Sequence, residues 1–494
     1  MMSGKPNIYR KAISHTAIYG AADILRRFVG FFMLPVYTRY LTPEDYGIVQ
    51  LLLVAVGVME IFLGMRMGQA IFRYYSLADT EYEKKQVMST AFIVTFIATT
   101  VAFLVLFFNS ELAARVALGS NQNTHVMQVF SIILVAQALE DYGLIYIRVH
   151  QRPYLFFAVS ILKLILQVFL NVYLIVYLKM AVEGVVYSAV ISTVVTAIFA
   201  SIYTYMHSGI TFSKLLAKKM IMFSLPLWLS ALGTLYLNSA DKYFLRVFSG
   251  LNEVGLYALA GKFGFLILIF VWDPFSNVWQ AMRYEIYKMP NAHQVYKRIF
   301  ILLMFALSFV GLGISLFADV AIKIMADKAF WPASPAVPLL VASSIAMALT
   351  YFNNLGILLH EKTSIIAKGT YLNAVVLTVC FIVLIKFFGF IGAAVSFLIG
   401  SVSQLLWIES GSRKLYDMKL PWNRAIVISI TWLACYFISY LLPSSLLVAI
   451  LGKILIMVVF VGLVFILPIL DSDEKQQIYI YFQRFKNKIV SRLM

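Results

Sequence analysis

Three charged residues interrupt the first apolar stretch of the chain, Asp23, Arg26 and Arg27. Further along, Glu60, Glu140, Asp141, Lys163 and Lys262 fall inside equally apolar runs, with Asp273 and Glu409 nearer the ends of theirs. A charge at the centre of a membrane helix costs about 2.5 to 3.5 kcal/mol on insertion scales, so such residues usually face a bundle interior or a watery path. Their types define two chemistries. The guanidinium group presents a fixed fork of donors that matches phosphate or carboxylate. A buried carboxylate takes up a proton or a sodium ion and couples a gradient to movement.

The structural alternative is that these groups pair and only fix helix packing. Asp23 lies three and four positions before Arg26 and Arg27, so on one helix it reaches either arginine. It does not serve both equally, because adjacent residues point about 100° apart. Lys163 and Lys262 have no acid at helical spacing beside them and read as surplus positive charge. Arg66 reads as snorkelling to an interface and Lys453 as part of a peripheral helix pair. The surplus points to a cavity for an anion: Arg26, Arg27, Lys163 and Lys262 toward substrate, with Asp23, Glu60, Glu140 and Asp141 as charge partners or ion-coupling groups.

The elements that must position these residues are membrane helices. Of the 494 residues 62% are hydrophobic and 13% charged, and the mean hydropathy is +0.86. Soluble domains carry roughly 25% charged residues. Apolar runs of spanning length number about fourteen, near 13–35, 46–70, 88–108, 126–147, 154–178, 183–206, 219–240, 254–275, 299–318, 337–359, 369–387, 389–409, 425–442 and 446–469. The least distinct boundary is the one near Gly389. The expected fold is therefore all-α and polytopic.

Loop charge sets the orientation. The termini and even-numbered connections hold roughly 26 basic residues and the odd-numbered connections about 8. Both termini are expected in the cytoplasm, with the first helix a retained signal-anchor. The net charge of +17 is then spent beside anionic headgroups, and no nucleic-acid partner is implied. Residues 471–494 read as an amphipathic basic tail at the interface.

An internal echo supports duplication. Tyr37, Arg39, Glu44 and Gly47 recur as Tyr243, Arg246, Glu253 and Gly255, each set joining an outward-going helix to an inward-going one. An offset of six helices preserves direction, which predicts two parallel six-helix bundles, 1–210 and 211–412, with helices 13 and 14 (413–470) appended. Thr42-Pro43-Glu44-Asp45 reads as an N-cap, a first-turn proline and two acids at the positive end of the helix dipole. Tyr37, Tyr40 and Tyr46 read as headgroup anchors.

Enzyme signatures are lacking. Gly261-Lys262 and Gly452-Lys453 have no phosphate-loop context. The six histidines follow no metal-ligand spacing, and Cys380 and Cys435 sit within apolar runs as small hydrophobes. No metal and no cofactor beyond a coupling ion is expected.

The stretch Arg27-Phe28-Val29-Gly30-Phe31-Phe32-Met33-Leu34-Pro35-Val36-Tyr37-Thr38-Arg39-Tyr40-Leu41-Thr42-Pro43-Glu44-Asp45-Tyr46-Gly47 resembles the N-terminal signature of bacterial polysaccharide-exporting flippases, the O-antigen group of the multidrug/oligosaccharidyl-lipid/polysaccharide superfamily. Phe352-Asn353-Asn354-Leu355-Gly356 through His360-Glu361-Lys362 is similar to the tenth-helix ending of that group. The resemblance implies two bundles around a cationic lumen and alternating access. It implies as cargo an undecaprenyl-pyrophosphate-linked oligosaccharide carried from the cytoplasmic to the periplasmic leaflet of the inner membrane. Partners would be that cargo, membrane lipids, a polysaccharide polymerase and a chain-length regulator, serving O-antigen and lipopolysaccharide synthesis. The alternatives are a multidrug antiporter, which would favour an acidic cavity, a lipid II flippase, and a membrane glycosyltransferase or polymerase, which the short outer loops disfavour.

Overall fold

The structure is a computed structural model that describes residues 30–31, 33–63, 67–443 and 445–467. Asp23, Arg26, Arg27, Arg66 and the basic tail lie outside the described residues. The described chain is built of helices. In order these are α1 (Leu34–Tyr40), α2 (Pro43–Leu63), α3 (Gly68–Leu77), α4 (Glu81–Phe108), α5 (Ser110–Leu118), α6 (Thr124–Ser131), α7 (Ile133–Val149), α8 (Pro153–Asn171), α9 (Ala181–Ser208) and α10 (Lys214–Ser249). They continue as α11 (Leu251–Gly264), α12 (Asp273–Tyr287), α13 (Ala292–Met325), α14 (Val337–Asn353), α15 (Leu355–Leu359), α16 (Ser364–Cys380), α17 (Lys386–Leu415), α18 (Trp422–Ile438) and α19 (Leu446–Ile466).

Ten helical stretches among the described residues are long and apolar enough to cross a membrane. One of them, Ser364–Leu415, doubles back at Gly389, whose φ of 53° and ψ of −134° suit glycine alone. There α16 and α17 run antiparallel, with Gly369 against Trp407 and Asn373 against Gly400. The boundary that was least distinct in the sequence is thus a hairpin made by one residue. The protein is an all-α, polytopic membrane protein. A π-helical turn at Leu268–Trp272 leads into Pro274, whose ring and missing N–H forbid a regular α-helical bond there.

The chain divides into two compact units, one running to Ala258 and including Met325–Phe330, the other formed by Leu259–Ile324 and the residues from Trp331 onward. One end of the first unit carries the basic residues. There Ser89 Oγ accepts from the Thr211 amide (2.8 Å) and Thr90 Oγ1 from the Ser213 amide (3.2 Å), which ties the α9–α10 connection to α4. Tyr75 and His150 meet through Oη and Nε2 at 3.1 Å, and Arg152 donates to Tyr203 Oη.

The other end of that unit gathers the start of α2. Thr42 caps it as expected: its hydroxyl donates to Asp45 Oδ2 (2.7 Å) and accepts from the Asp45 amide (3.1 Å), while its own amide donates to the same carboxylate (3.0 Å). The tyrosines there differ from the expectation. Tyr40 is exposed, but Tyr46 is buried edge-on against Phe330, and Tyr37 Oη accepts from Asn171 Nδ2 (2.9 Å). Packing claims two of the three rings expected to anchor headgroups.

Within the second unit, α14 and α17 pack closely, and α19 lies along α13. Phe305 stacks on Phe460, Gly313 admits Met457, and Lys453 Nζ meets Asp319 Oδ1 at 2.6 Å.

Candidate functional site

On α7, Glu140 and Asp141 are adjacent and therefore point to different neighbours. Glu140 is buried and forms an ion pair with Lys163 of α8. Lys163 is thus not surplus charge. Its acid sits 23 residues away on the preceding helix, where helical spacing within one segment does not reveal it. Asp141 lines a cavity of about 250 Å³ that also receives Glu60 of α2, Gln69 of α3 and Thr95 and Thr99 of α4. Thr95 and Thr99 are buried, and the Thr99 hydroxyl donates to the Thr95 carbonyl at 2.8 Å. Tyr142 closes one side, its hydroxyl donating to the Met88 carbonyl at 2.5 Å.

Of the sequence candidates, then, Glu60 and Asp141 both line one cavity, and Glu140 and Lys163 form a pair. Lys262 is exposed on α11, in the second unit. Asp23, Arg26 and Arg27 are outside the described residues. Two carboxylates, a side-chain amide and threonine hydroxyls line the cavity together with Met67, Ile71, Ala138 and Ile145, and oxygen groups of this kind can hold a proton or a hard monovalent cation. Among the described residues no group of His, Cys, Asp and Glu is arranged to hold a metal ion.

The second unit holds a larger groove of about 600 Å³. Two helical stripes build its walls: Trp422, Ala425, Ser429, Trp432 and Leu433 on α18, and Leu398, Val402, Leu405, Glu409 and Arg413 on α17. Spacings of three and four place each stripe on one helix face. α13 and α14 complete the groove with small and aliphatic side chains. One end is charged, where Trp422 Nε1 donates to Glu409 Oε1 (2.8 Å) beside Arg413. Farther along, Trp432 is buried and its Nε1 has no partner. The helix expected as an appendage, α18, is a wall of this groove.

Sequence reading missed two acids because each fell just past the end of an assigned span. Asp241 is buried on α10, where its carboxylate accepts from the Lys242 amide at 2.8 Å. Asp319 partners Lys453 of α19, which is 7% exposed, so Lys453 is a buried ion-pair member on that helix. On the observed helices Asp319 lies six residues before the end of α13 and Lys453 seven after the start of α19, a match the apolar runs alone did not show. The motif around Phe352 is a clamp at the break between α14 and α15. Phe352 stacks on Trp279 (centroids 4.4 Å apart), Asn354 Oδ1 accepts from Arg283 (2.9 Å), and the Gly356 amide donates to Ser412 (2.9 Å).

Comparison with known families places this architecture. The model of a family described as "polysaccharide biosynthesis protein" matches residues 12–280, more than half of the chain. The chain belongs to the polysaccharide biosynthesis protein family. No curated protein sequence matches it significantly. Among solved structures it is similar to a lipid II flippase MurJ in an inward closed conformation, with a TM-score of 0.70 and 14% identity over 91% of this chain and 98% of that one. It is also similar to an inward-facing multidrug resistance MATE transporter of the MOP superfamily (TM-score 0.62, 15% identity, 80% and 95% covered). A MATE protein in a straight conformation gives a TM-score of 0.53 at 17% identity, with 83% and 96% covered. At these identities the likeness is one of fold. This polysaccharide biosynthesis family member therefore has the helical fold shared by the flippase and multidrug-transporter branches of the superfamily, as its opening signature led us to expect.

Proposed function

We propose that this polysaccharide biosynthesis family member is a secondary transporter that flips an undecaprenyl-pyrophosphate-linked oligosaccharide from the cytoplasmic to the periplasmic leaflet by alternating access. Both termini lie in the cytoplasm, as the excess of basic residues in the even-numbered connections favours. Arg26 and Arg27 serve the pyrophosphate or acidic sugars, with Lys262 and the Glu140-paired Lys163 adding positive charge. Asp23 holds the arginines. The cavity lined by Glu60 and Asp141 takes the coupling proton or sodium ion.

The observation that carries this reading is the second unit's groove, which is largely apolar along its length and carries Glu409 and Arg413 at one end, in a chain of a polysaccharide biosynthesis family. An isoprenoid chain bearing a polar head has the complementary form: apolar surface throughout and one charged terminus. A soluble sugar or a compact cationic drug does not need such a groove. A multidrug antiporter would in addition prefer fewer basic residues within its helices. Lipid II is the second cargo to consider, because the chain's fold covers nearly all of a lipid II flippase and lipid II presents the same lipid pyrophosphate.

Replacing Arg27 tests the proposal. At native protein levels Arg27→Ala stops surface-polymer assembly, and Arg27→Lys, which keeps the charge but loses the fork, retains part of it. Full export by Arg27→Ala contradicts the role assigned to the arginine.

A further inference from the structure

The two copies of the internal echo touch each other. Gly47 is the fifth residue of α2, and Gly255 is the fifth residue of α11. A methyl group built on Gly47 would fall on the carbonyl oxygen of Leu251, the first residue of α11. One built on Gly255 would fall on the carbonyl oxygen of Pro43, the first residue of α2. Each helix therefore lays its fifth residue over the first turn of the other. The relation is reciprocal, as in a two-fold contact between identical surfaces, but here between duplicated segments of one chain. Glycine at both positions lets backbone meet backbone, with no side chain interlocked between them.

The crossing is strapped from one side by Met325–Phe330. Thr38 Oγ1 donates to the Met325 carbonyl (3.1 Å), the Asp327 amide to the Thr38 carbonyl (3.4 Å), and Phe330 packs against Tyr46 with centroids 6.0 Å apart. Thr38 is fully buried beneath this strap. The six strap residues belong to the first unit, whereas the chain on both sides of them, Ile324 and Trp331, belongs to the second. Any rearrangement of α13 or α14 therefore pulls on the strap directly.

We propose that the Gly47–Gly255 crossing and its Met325–Phe330 strap form the outer seal of the transporter, a contact that must part before cargo leaves on the periplasmic side. It lies at the sparsely basic end of the first unit, the outer end in the orientation proposed above. A seal must close tightly and open cheaply. A backbone crossing of two glycines closes without leaving a gap. Beside the backbone crossing, the seal is held by the two strap hydrogen bonds and the Tyr46–Phe330 contact. The same two glycines are the matching positions of the echo, so the seal is formed by the duplication itself.

The experiment has two arms, both in full-length protein carrying Cys380→Ser and Cys435→Ser. In the first, Thr38→Cys reports on opening through its rate of labelling by a membrane-impermeant maleimide added to the outer side. Gly255→Ala or Tyr46→Ala raises that rate roughly fivefold, as expected if each shifts the closed population toward open. An unchanged rate in both variants overturns the seal, and this arm needs no cargo. In the second, Thr38→Cys and Asp327→Cys are bridged by a short bis-methanethiosulfonate in proteoliposomes holding a fluorescent undecaprenyl-pyrophosphate disaccharide. Bridging stops movement of the probe and reduction restores it. Equal movement with the bridge in place overturns the proposal. This arm rests on the flippase reading: protein that moves no probe before bridging counts against that reading, and the labelling arm then decides the seal.

Discussion

Lys163 was expected to be surplus charge and is found paired, so the pair offers a sharp test of what intramembrane charge does here. Glu140 keeps 3% of its side-chain exposure and Lys163 keeps 24%. Removing one partner of a buried pair costs about 3 to 5 kcal/mol, because the other charge is left desolvated. The exposures make the two removals unequal. Lys163→Met takes the lysine away from a carboxylate that is almost wholly buried, so it is the costlier change, at about 3 kcal/mol. Glu140→Gln strands a lysine that is only partly buried, at 24% exposed, and it costs about 1 to 2 kcal/mol. The double variant leaves no stranded charge and costs less than Lys163→Met alone, giving a coupling of about 2 to 3 kcal/mol. Unfolding of the four purified proteins in mixed micelles, followed by helical signal against denaturant, measures the cycle. Equal small losses for the two single variants, adding in the double, would refute the reasoning. Transport by the double variant then separates the roles: normal flipping means the pair only joins α7 to α8, and folded but inactive protein means the lysine serves cargo.

Two further outcomes follow from the second unit. In the Asp319–Lys453 pair the exposures are reversed, with the acid 39% and the lysine 7% exposed, so Asp319→Asn destabilises the docking of α19 more than Lys453→Met does; protease sensitivity of the α18–α19 connection reports the difference, and the opposite order contradicts it. Ser429→Trp places a large ring within the groove and lowers flipping of a full-length isoprenoid-linked probe severalfold while sparing a short-chain analogue; equal loss for both chain lengths removes the groove from the cargo path.

Much of the fold was legible because a bilayer permits so few solutions. Every backbone polar group must be satisfied within the membrane, so length and apolarity alone mark the helices. The start of α2 was legible to the residue, because an N-cap, a proline and first-turn acids are local chemistry. What escaped was whatever depends on which helices become neighbours. Lys453 finds Asp319 across 134 positions of sequence, and Lys163 finds Glu140 across a helix turn-around. Tyr46 looked like an interfacial ring until the Met325–Phe330 strap covered it. The groove exists only once α13, α14, α17 and α18 are packed, although the stripe on α18 was open to view as alternating three- and four-residue spacings. Glu60 was expected to act with Glu140 or Asp141, and packing is what brings Asp141 to its cavity and pairs Glu140 with Lys163.

The central claim is that this protein moves a lipid-linked oligosaccharide across a bilayer. Purified protein in liposomes, loaded with a fluorescent undecaprenyl-pyrophosphate oligosaccharide and assayed by quenching of the outer leaflet, tests it most directly. The account predicts protein-dependent movement of the probe that quickens under an imposed proton or sodium gradient and slows when Glu60 and Asp141 are both neutralised. Leaflet exchange no faster than in protein-free liposomes, with or without a gradient, would contradict it.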